Sequence, residues 1–278
     1  GMDFATTTKV EALGGGRYRG HLGHDWDLVR VSQGGVVASL GLRAAEAELK
    51  VDGHQLRTST TFFVGQVTAG EVDIEVEVLR RGRTASQVQV EVRNPGSATG
   101  AKVTAVFGAS REGPTFTDVS FPEVPAPMDC RSIRDPAPEG FEFIEMPFWQ
   151  RVESRSAIGH APWEDFQPGA AVSASWLRFE EPPLLDDGSI DPLGVLTMAD
   201  RMPGAVREGM GLGRPWFAPS ADLTVHHFAP LRTRWMLAYD HARWAGDGWA
   251  SGESYLWSQD GELVGYATQM MIFTYLDG

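Results

Sequence analysis

Hydrophobic and polar positions along the chain form one pattern that occurs twice. In each copy a mostly apolar, helix-like stretch (35–49, then 193–206) comes before four strand-like runs. The runs of the first copy are 56–64, 71–79, 85–92 and 101–107, and those of the second copy are 222–228, 235–243, 249–257 and 262–273. Self-similarity of this kind predicts two related halves, each with a helix followed by antiparallel strands.

Local signals refine these elements. Residues 72–78 and 86–92 alternate apolar and polar positions at period two, which predicts strands with one buried and one wet face. The short segment 80–84 between them contains Gly82, so the pair is predicted to be an antiparallel hairpin. Further strand signals lie at 148–155 and 172–179. Pro192 is expected in the first turn of the second helix, where proline is favoured, and Pro203 predicts a break or bend in that helix.

The two halves are separated by a segment rich in proline and polar residues. It has no sustained hydrophobic period, which indicates a partly extended linker. We therefore divide the chain into an N-terminal unit (1–112), a linker (113–142) and a C-terminal unit (143–278). A long apolar helix wrapped by a curved antiparallel sheet is the hotdog arrangement. The expected fold is α+β, a double hotdog whose sheets pair edge to edge and so cover an otherwise exposed strand.

Composition narrows the function classes. A formal net charge of −13 argues against a nucleic-acid or anionic-membrane partner. The sequence has no apolar run of about 18 residues, which argues against a membrane span. It shows no signal-peptide pattern, and its one cysteine, Cys130, cannot form an intrachain disulfide. These features favour a reducing, cytoplasmic setting, and they leave homo-oligomerisation open.

Several ordered motifs resemble one family. The second half contains WLRF at 176–179, LTMADR at 196–201, SADLTVHHF at 220–228, WSQDGELV at 257–264 and ATQ at 267–269. The first half contains SQGG at 32–35 and LRRGRT at 79–84. Taken in this order, the set is similar to the TesB-like acyl-CoA thioesterases over most of the chain outside the linker. A place in fatty acid metabolism is what this resemblance implies.

The resemblance also implies a site. In that family an Asp on the second helix, a Ser or Thr at the start of the next strand and a Gln in the last strand hold the hydrolytic water. The matching residues are Asp200, Ser220 and Gln269. A carboxylate accepts the proton of an attacking water, while a hydroxyl and a carboxamide orient that water.

Substrate contacts are expected from two further groups of residues. Gly34 and Gly35 open the first helix, where glycine allows a tight approach to the sheet or to a ligand. Arg80 and Arg83 belong to the densest basic cluster, which suits an anionic substrate. Both groups also have a structural interpretation: helix packing for the glycines, and a solvated turn between strands for the arginines.

The three site residues have structural alternatives as well. Asp200 is also compatible with a solvated helix position, Ser220 with a simple strand start after Pro219, and Gln269 with the wet face of a sheet. The absence of a Gly-x-Ser-x-Gly elbow argues against an α/β-hydrolase thioesterase.

The leading hypothesis is hydrolysis of an acyl-CoA to a fatty acid and CoA, with no metal or redox cofactor implied. One alternative is a non-catalytic acyl-CoA or lipid-binding protein of the same fold. Another, less favoured, is an enoyl-CoA hydratase, an enzyme class of the same fold that uses an Asp and a His spaced along one segment. The sequence has no such pair near its helices.

Overall fold

The computed structural model describes residues 3–201 and 203–277. The helices in this part of the chain are α1 (Phe4–Thr7), α2 (Gly34–Leu49), α3 (Phe148–Arg151), α4 (Pro192–Ala199) and α5 (Pro203–Met210), with short 3-10 helices at His24–Trp26 and Pro127–Asp129. None of these helices is long and apolar enough to cross a membrane.

The strands of the same residues fall into two sheets. Those of the first half are β1 (Glu11–Gly14), β2 (Arg17–Leu22), β3 (His54–Phe63), β4 (Gly70–Arg81), β5 (Ala85–Arg93) and β6 (Ala101–Ala109). Those of the second half are β7 (Arg131–Ser132), β8 (Val152–Ile158), β9 (Val172–Phe179), β10 (Trp216–Phe217), β11 (Asp222–His227), β12 (Met236–Gly246), β13 (Trp249–Ser258), β14 (Leu263–Ile272) and β15 (Thr274–Tyr275).

One antiparallel sheet of thirteen strands runs through the described chain, in the order β1-β2-β4-β5-β6-β3-β11-β14-β13-β12-β9-β8-β7. Read outward from the central β3–β11 pair, the two halves repeat the same strand order. β3 and β11 pair over five residues, and the Thr60 and Thr224 hydroxyls lie 2.9 Å apart across the junction. The predicted double hotdog with edge-to-edge pairing is therefore confirmed.

The helix α2 is buried nearly all round. Val36, Leu40 and Leu42 have no exposed surface, as expected for a helix that is apolar on every face. It packs against β4, β5 and β6 on the concave side of the sheet. The Ser39 hydroxyl donates to the Leu193 carbonyl at 3.0 Å, which joins α2 to α4 and so links the helices of the two halves.

The second helix is divided, as Pro203 predicted. α4 ends at Ala199 and α5 begins at Pro203. Proline has no N–H, and its ring clashes with the carbonyl four residues earlier, so a continuous helix cannot pass through this position. The residue after α4 is Asp200, which leaves the helical conformation with φ −83° and ψ 77°.

Three sequence expectations need correction. The strand expected at 148–155 begins with the helical turn α3, and β8 starts only at Val152. The strands β1 and β2 were not expected. The segment assigned to the linker contains β7, which pairs with β8, so part of it belongs to the second half of the sheet. The domain boundaries themselves stay a prediction.

Candidate functional site

Asp200 lies where three elements meet. Its position after the last residue of α4 directs the carboxylate toward the start of α2 and toward β14. One carboxylate oxygen, Oδ1, accepts from the Gln269 Nε2 at 2.7 Å, and the other, Oδ2, accepts from the Gly35 N–H at 3.1 Å. The carboxylate is thus held from both sides, by a side chain of the second half and by the backbone of the first.

Gln269 is an interior residue and not part of a wet face. It is 4% exposed and points from β14 toward the helices. Its Nε2 is used by Asp200, while its Oε1 has no hydrogen-bond partner within the residues that the structure describes. Buried polar atoms in folded proteins bind protein groups or ordered water. A water that donates to this oxygen would lie beside the Asp200 carboxylate.

Opposing effects set the protonation of Asp200. Burial raises the pKa of its carboxyl above the ordinary value, while the hydrogen bonds from Gln269 and Gly35 act in the opposite direction. The positive end of the α2 dipole also favours the charged form. The outcome is a carboxylate with a raised pKa, which makes it a stronger proton acceptor than an exposed aspartate.

Gly34 and Gly35 contact the proposed base directly. A Cβ on Gly34 would lie 2.6 Å from the Phe63 ring and 2.9 Å from the Asp200 Oδ2, and a Cβ on Gly35 would lie 2.7 Å from the Thr197 backbone. Any other residue would displace one of these neighbours. The close approach expected at these glycines is therefore present, and their contact with the substrate stays a prediction.

Ser220 is near the site but is not hydrogen-bonded to it. It precedes β11 and forms an isolated antiparallel bridge with Met271. Ser220 and Met271 lie opposite each other and therefore point to the same side of the sheet, and so do Met271 and Gln269, which are two residues apart on β14. Ser220 therefore faces the same layer as Gln269. No hydrogen bond joins its hydroxyl to Asp200 or Gln269. The expected three-residue convergence is thus seen for two residues.

Arg80 and Arg83 are not brought to Asp200. Both are exposed at the β4–β5 turn. Their neighbour Arg81 donates to the carbonyls of Leu49 and Glu48, at the C-terminal end of α2. Because α2 has 16 residues, this end lies about 24 Å from the Gly35 end. Both arginines are therefore too far away to reach a carbonyl held at Asp200.

Gln33 is a site residue that sequence reasoning did not single out. It is 1% exposed and caps α2, with its Oε1 accepting from the Val36 N–H at 2.8 Å. Its Nε2 donates to the Thr197 carbonyl at 2.9 Å. One side chain therefore closes the start of α2 and ties it to the end of α4. The motif SQGG contained the signal, but Gln is not among the favoured N-cap residues.

The adjacent histidines His226 and His227 do not form a metal site together. The His226 Nδ1 lies 2.9 Å from the Thr58 hydroxyl, whereas His227, the next residue in the strand, faces the other side. Across residues 3–201 and 203–277, no three His, Cys, Asp or Glu side chains come together as metal ligands would.

Both halves of the chain match domains of one protein family. The acyl-CoA thioesterase N-terminal domain matches residues 22–108, and the acyl-CoA thioesterase C-terminal domain matches residues 127–273, more than half of the chain. Among proteins with curated functions, none is significantly similar to the chain in sequence.

Solved structures share the whole fold. A conserved protein of unknown function with a hot dog fold from Alicyclobacillus acidocaldarius is 23% identical, with a TM-score of 0.80 over 98% of this chain and 97% of that one. A putative thioesterase II from Thermobifida fusca is 24% identical, with a TM-score of 0.78 over 98% and 97%.

A third similar structure is the acyl-CoA thioesterase II TesB2 from Mycobacterium marinum, 18% identical with a TM-score of 0.75 over 98% of each chain. At these identities the likeness shows the fold alone, and the two domain matches show the family. The chain therefore belongs to the acyl-CoA thioesterase family, whose members hydrolyse an acyl-CoA thioester to a free fatty acid and CoA.

Proposed function

We propose that Asp200 is the general base of this hydrolysis and that Gln269 positions the attacking water. The observation that carries this assignment is the 2.7 Å hydrogen bond from Gln269 Nε2 to Asp200 Oδ1, with the Oε1 of the same carboxamide free within the described residues. A water that donates one hydrogen to Gln269 Oε1 and the other to Asp200 has its lone pair directed at a substrate carbonyl.

The reaction then follows in two steps. As the water oxygen bonds to the thioester carbon, its proton moves to Asp200 and the carbonyl oxygen becomes negative. The tetrahedral intermediate collapses, the carbon–sulfur bond breaks, and the sulfur of CoA leaves with the electron pair and takes the proton from Asp200. The products are the fatty acid and CoA, and Asp200 is again a carboxylate.

The start of α2 supplies a place for the developing negative charge. Three of its first amides are used: Gly35 N–H by Asp200, Val36 N–H by the Gln33 side chain and Val37 N–H by the Gln33 carbonyl. The Gly34 N–H has no partner among the residues that the structure describes. This amide, at the positive end of the helix, is the group that would polarise the thioester carbonyl.

We also propose roles for three residues outside the Asp200–Gln269 pair, a cellular location and self-association of the protein. Ser220, which faces the same layer as Gln269, is proposed as an auxiliary group at the site. Arg80 and Arg83 are placed as contacts to a distant part of the CoA, at the far end of α2. The lone Cys130 thiol supports a reducing cytoplasm. Exposed Phe62, Trp244 and Ile272 on the sheet support self-association.

The decisive experiment is Asp200→Asn. This change keeps the size and the contact with Gly35 but removes the base, so kcat for CoA release should fall by about 10²–10⁴ while KM stays close to that of the wild type. Steady-state thiol release from a panel of acyl-CoA substrates measures both constants. Ser220→Ala is the matched control from the same layer and should lose less. A fully active Asp200→Asn enzyme would show that another group is the base.

A further inference from the structure

A row of polar side chains crosses the interior of the second half. Ser173, Asp240 and Ser254 stand directly opposite one another on β9, β12 and β13. All three are buried, and Asp240 has no exposed surface. The row faces the helices, because a Cβ on Gly204 of α5 would lie 3.2 Å from the Ser173 hydroxyl.

The corresponding row of the first half is apolar. Counted in register from the Thr60–Thr224 pair at the centre of the sheet, the equivalent strands β4, β5 and β6 place Val76, Val90 and Val103 opposite one another, and Val90 and Val103 are fully buried. A buried carboxylate is costly unless it is paired. The two halves share one strand order, so the fold does not require the polar row. Its presence in the half that carries Asp200 calls for a reason connected with the site.

Within the part of the chain that the structure describes, one cationic side chain, that of Arg201, forms an ion pair with Asp240. The Arg201 Nη1 lies 3.4 Å from the Asp240 Oδ2, and the Arg201 side chain is 16% exposed. Burial raises the pKa of Asp240, with Arg201 and the Ser254 hydroxyl acting in the opposite direction. Arg201 is also the residue that follows Asp200, in the short break between α4 and α5.

The row is also close to the site across the sheet. Ser254 pairs with Ala267 of β14, and Gln269 stands two residues further along that strand on the same face. The Asp200 carboxylate is held by Gln269 and Gly35. The next residue in the chain, Arg201, is held by Asp240 of the sheet. Without the second contact, the described backbone of the break would be held by two short turn bonds, to the Thr197 and Ala199 carbonyls, and by a long 3.5 Å bond from the Gln33 Nε2 to the Asp200 carbonyl.

On the basis of the base role assigned above to Asp200, we propose that Asp240 is a positioning residue for hydrolysis. It anchors Arg201 and thereby fixes the helix break that presents the Asp200 carboxylate to the water and to Gln269. Asp240 touches neither the substrate nor the water. Its effect reaches the reaction through the conformation of residues 200–201.

The test is Asp240→Asn, which keeps the size and removes the charge that holds Arg201. A small displacement of a catalytic group lowers the rate strongly, so kcat should fall by about 10- to 100-fold with KM within about twofold of wild type. In the Asp200→Asn background the same change should have no further effect, because both act on one group. Glu208→Gln is the matched control. It also removes a buried carboxylate, which lies on α5 and contacts His160, and it should keep wild-type kcat.

A second pair of variants covers the case in which Asp240→Asn does not fold. Arg201→Lys keeps a cation in reach of Asp240 and should retain most of kcat, whereas Arg201→Met should lose about as much as Asp240→Asn. Equal effects of the two Arg201 variants, or an Asp240→Asn loss that multiplies with that of Asp200→Asn, would overturn the positioning role. If Asp200→Asn is inactive and Asp240→Asn is fully active, only the role of Asp240 fails. If Asp200→Asn is active, the base assignment itself fails.

Discussion

The reactivity proposed for Asp200 depends on the burial of its carboxyl and on the two groups that donate hydrogen bonds to it. Burial alone would make the charged form costly, and a neutral acid cannot accept a proton. The Gln269 carboxamide and the Gly35 amide offset part of that cost while leaving the pKa raised. Neither donor carries a full charge. The pKa of Asp200, the proposed base, therefore stays above its ordinary value, which makes its carboxylate form a stronger proton acceptor.

Gly34 gives a prediction at this scale. A Cβ there meets the Phe63 ring and the Asp200 Oδ2 at 2.6 and 2.9 Å, distances that no real Cβ tolerates. The Phe63 ring can shift, but a shift of Asp200 changes the geometry of attack. Gly34→Ala should therefore lower kcat by about 10- to 100-fold, measured as thiol release.

The control is Gly169→Ala, because a Cβ at Gly169 meets nothing within 4 Å. It should keep wild-type kcat. Normal activity of Gly34→Ala would mean that the base is less tightly placed than the geometry indicates.

At the scale of elements, the site is a junction of two helix ends. The N-terminus of α2 and the C-terminus of α4 face each other, and Gln33 connects them. Ser, Thr, Asp or Asn would cap α2 equally well, but their shorter side chains could not also donate to α4. A glutamine at the cap is explained by this second bond.

Gln33→Ala tests that explanation. It removes the cap and leaves the Thr197 carbonyl and the Val36 amide buried, so we expect a loss of about 1–3 kcal/mol of stability and a lower kcat. Gln33→Asn is the informative companion. It restores a good cap but is too short to reach Thr197, so it should recover stability more than activity. Thermal melting and thiol release, taken together, separate the two functions, and equal stability of all three proteins would refute both.

These elements also show which features of the fold and the site could be predicted from the sequence. Strands such as β4 and β5 were predictable because their apolar positions recur at period two, whereas β1, whose four residues are all exposed, gives no such pattern. The helix break was predictable because Pro203 cannot continue a helix. Asp200 and Gln269 were found by resemblance to a family and not by pattern. Gln33 was missed because its role depends on a contact with Thr197, 164 residues away. The distance of Arg80 from the site likewise follows only from the direction of α2.

At the scale of the molecule, the two halves are not independent units. The central pairing of β3 with β11 makes one sheet of both, and the Asp200 carboxylate of the second half accepts a hydrogen bond from the Gly35 backbone of the first. The proposed site is thus asymmetric within a duplicated architecture. The second half provides Asp200, the Gln269 carboxamide and the buried polar row, and the first half provides the start of α2.

Two titrating groups in the second half, the buried Asp240 and the partly buried His227, should act on the free energy of unfolding in opposite directions. Burial raises the pKa of Asp240 from 3.8 to about 6 and lowers the pKa of His227 from 6.5 to about 4. Between these values the folded protein holds a proton on Asp240 that the unfolded chain has lost, so the free energy of unfolding falls as pH rises. The unfolded chain in turn holds a proton on His227 that the folded protein lacks, so for this group the free energy of unfolding rises with pH.

Each shift of about two pKa units corresponds to roughly 3 kcal/mol, so in the wild type the two contributions largely cancel from pH 4 to 6. Asp240→Asn removes only the falling contribution, and its melting temperature relative to wild type should increase over this range. His227→Gln removes only the rising one, and its relative melting temperature should decrease. Referring each variant to the wild type at the same pH cancels all other titrating groups. Parallel curves for the two variants would show that these side chains titrate normally in the folded protein.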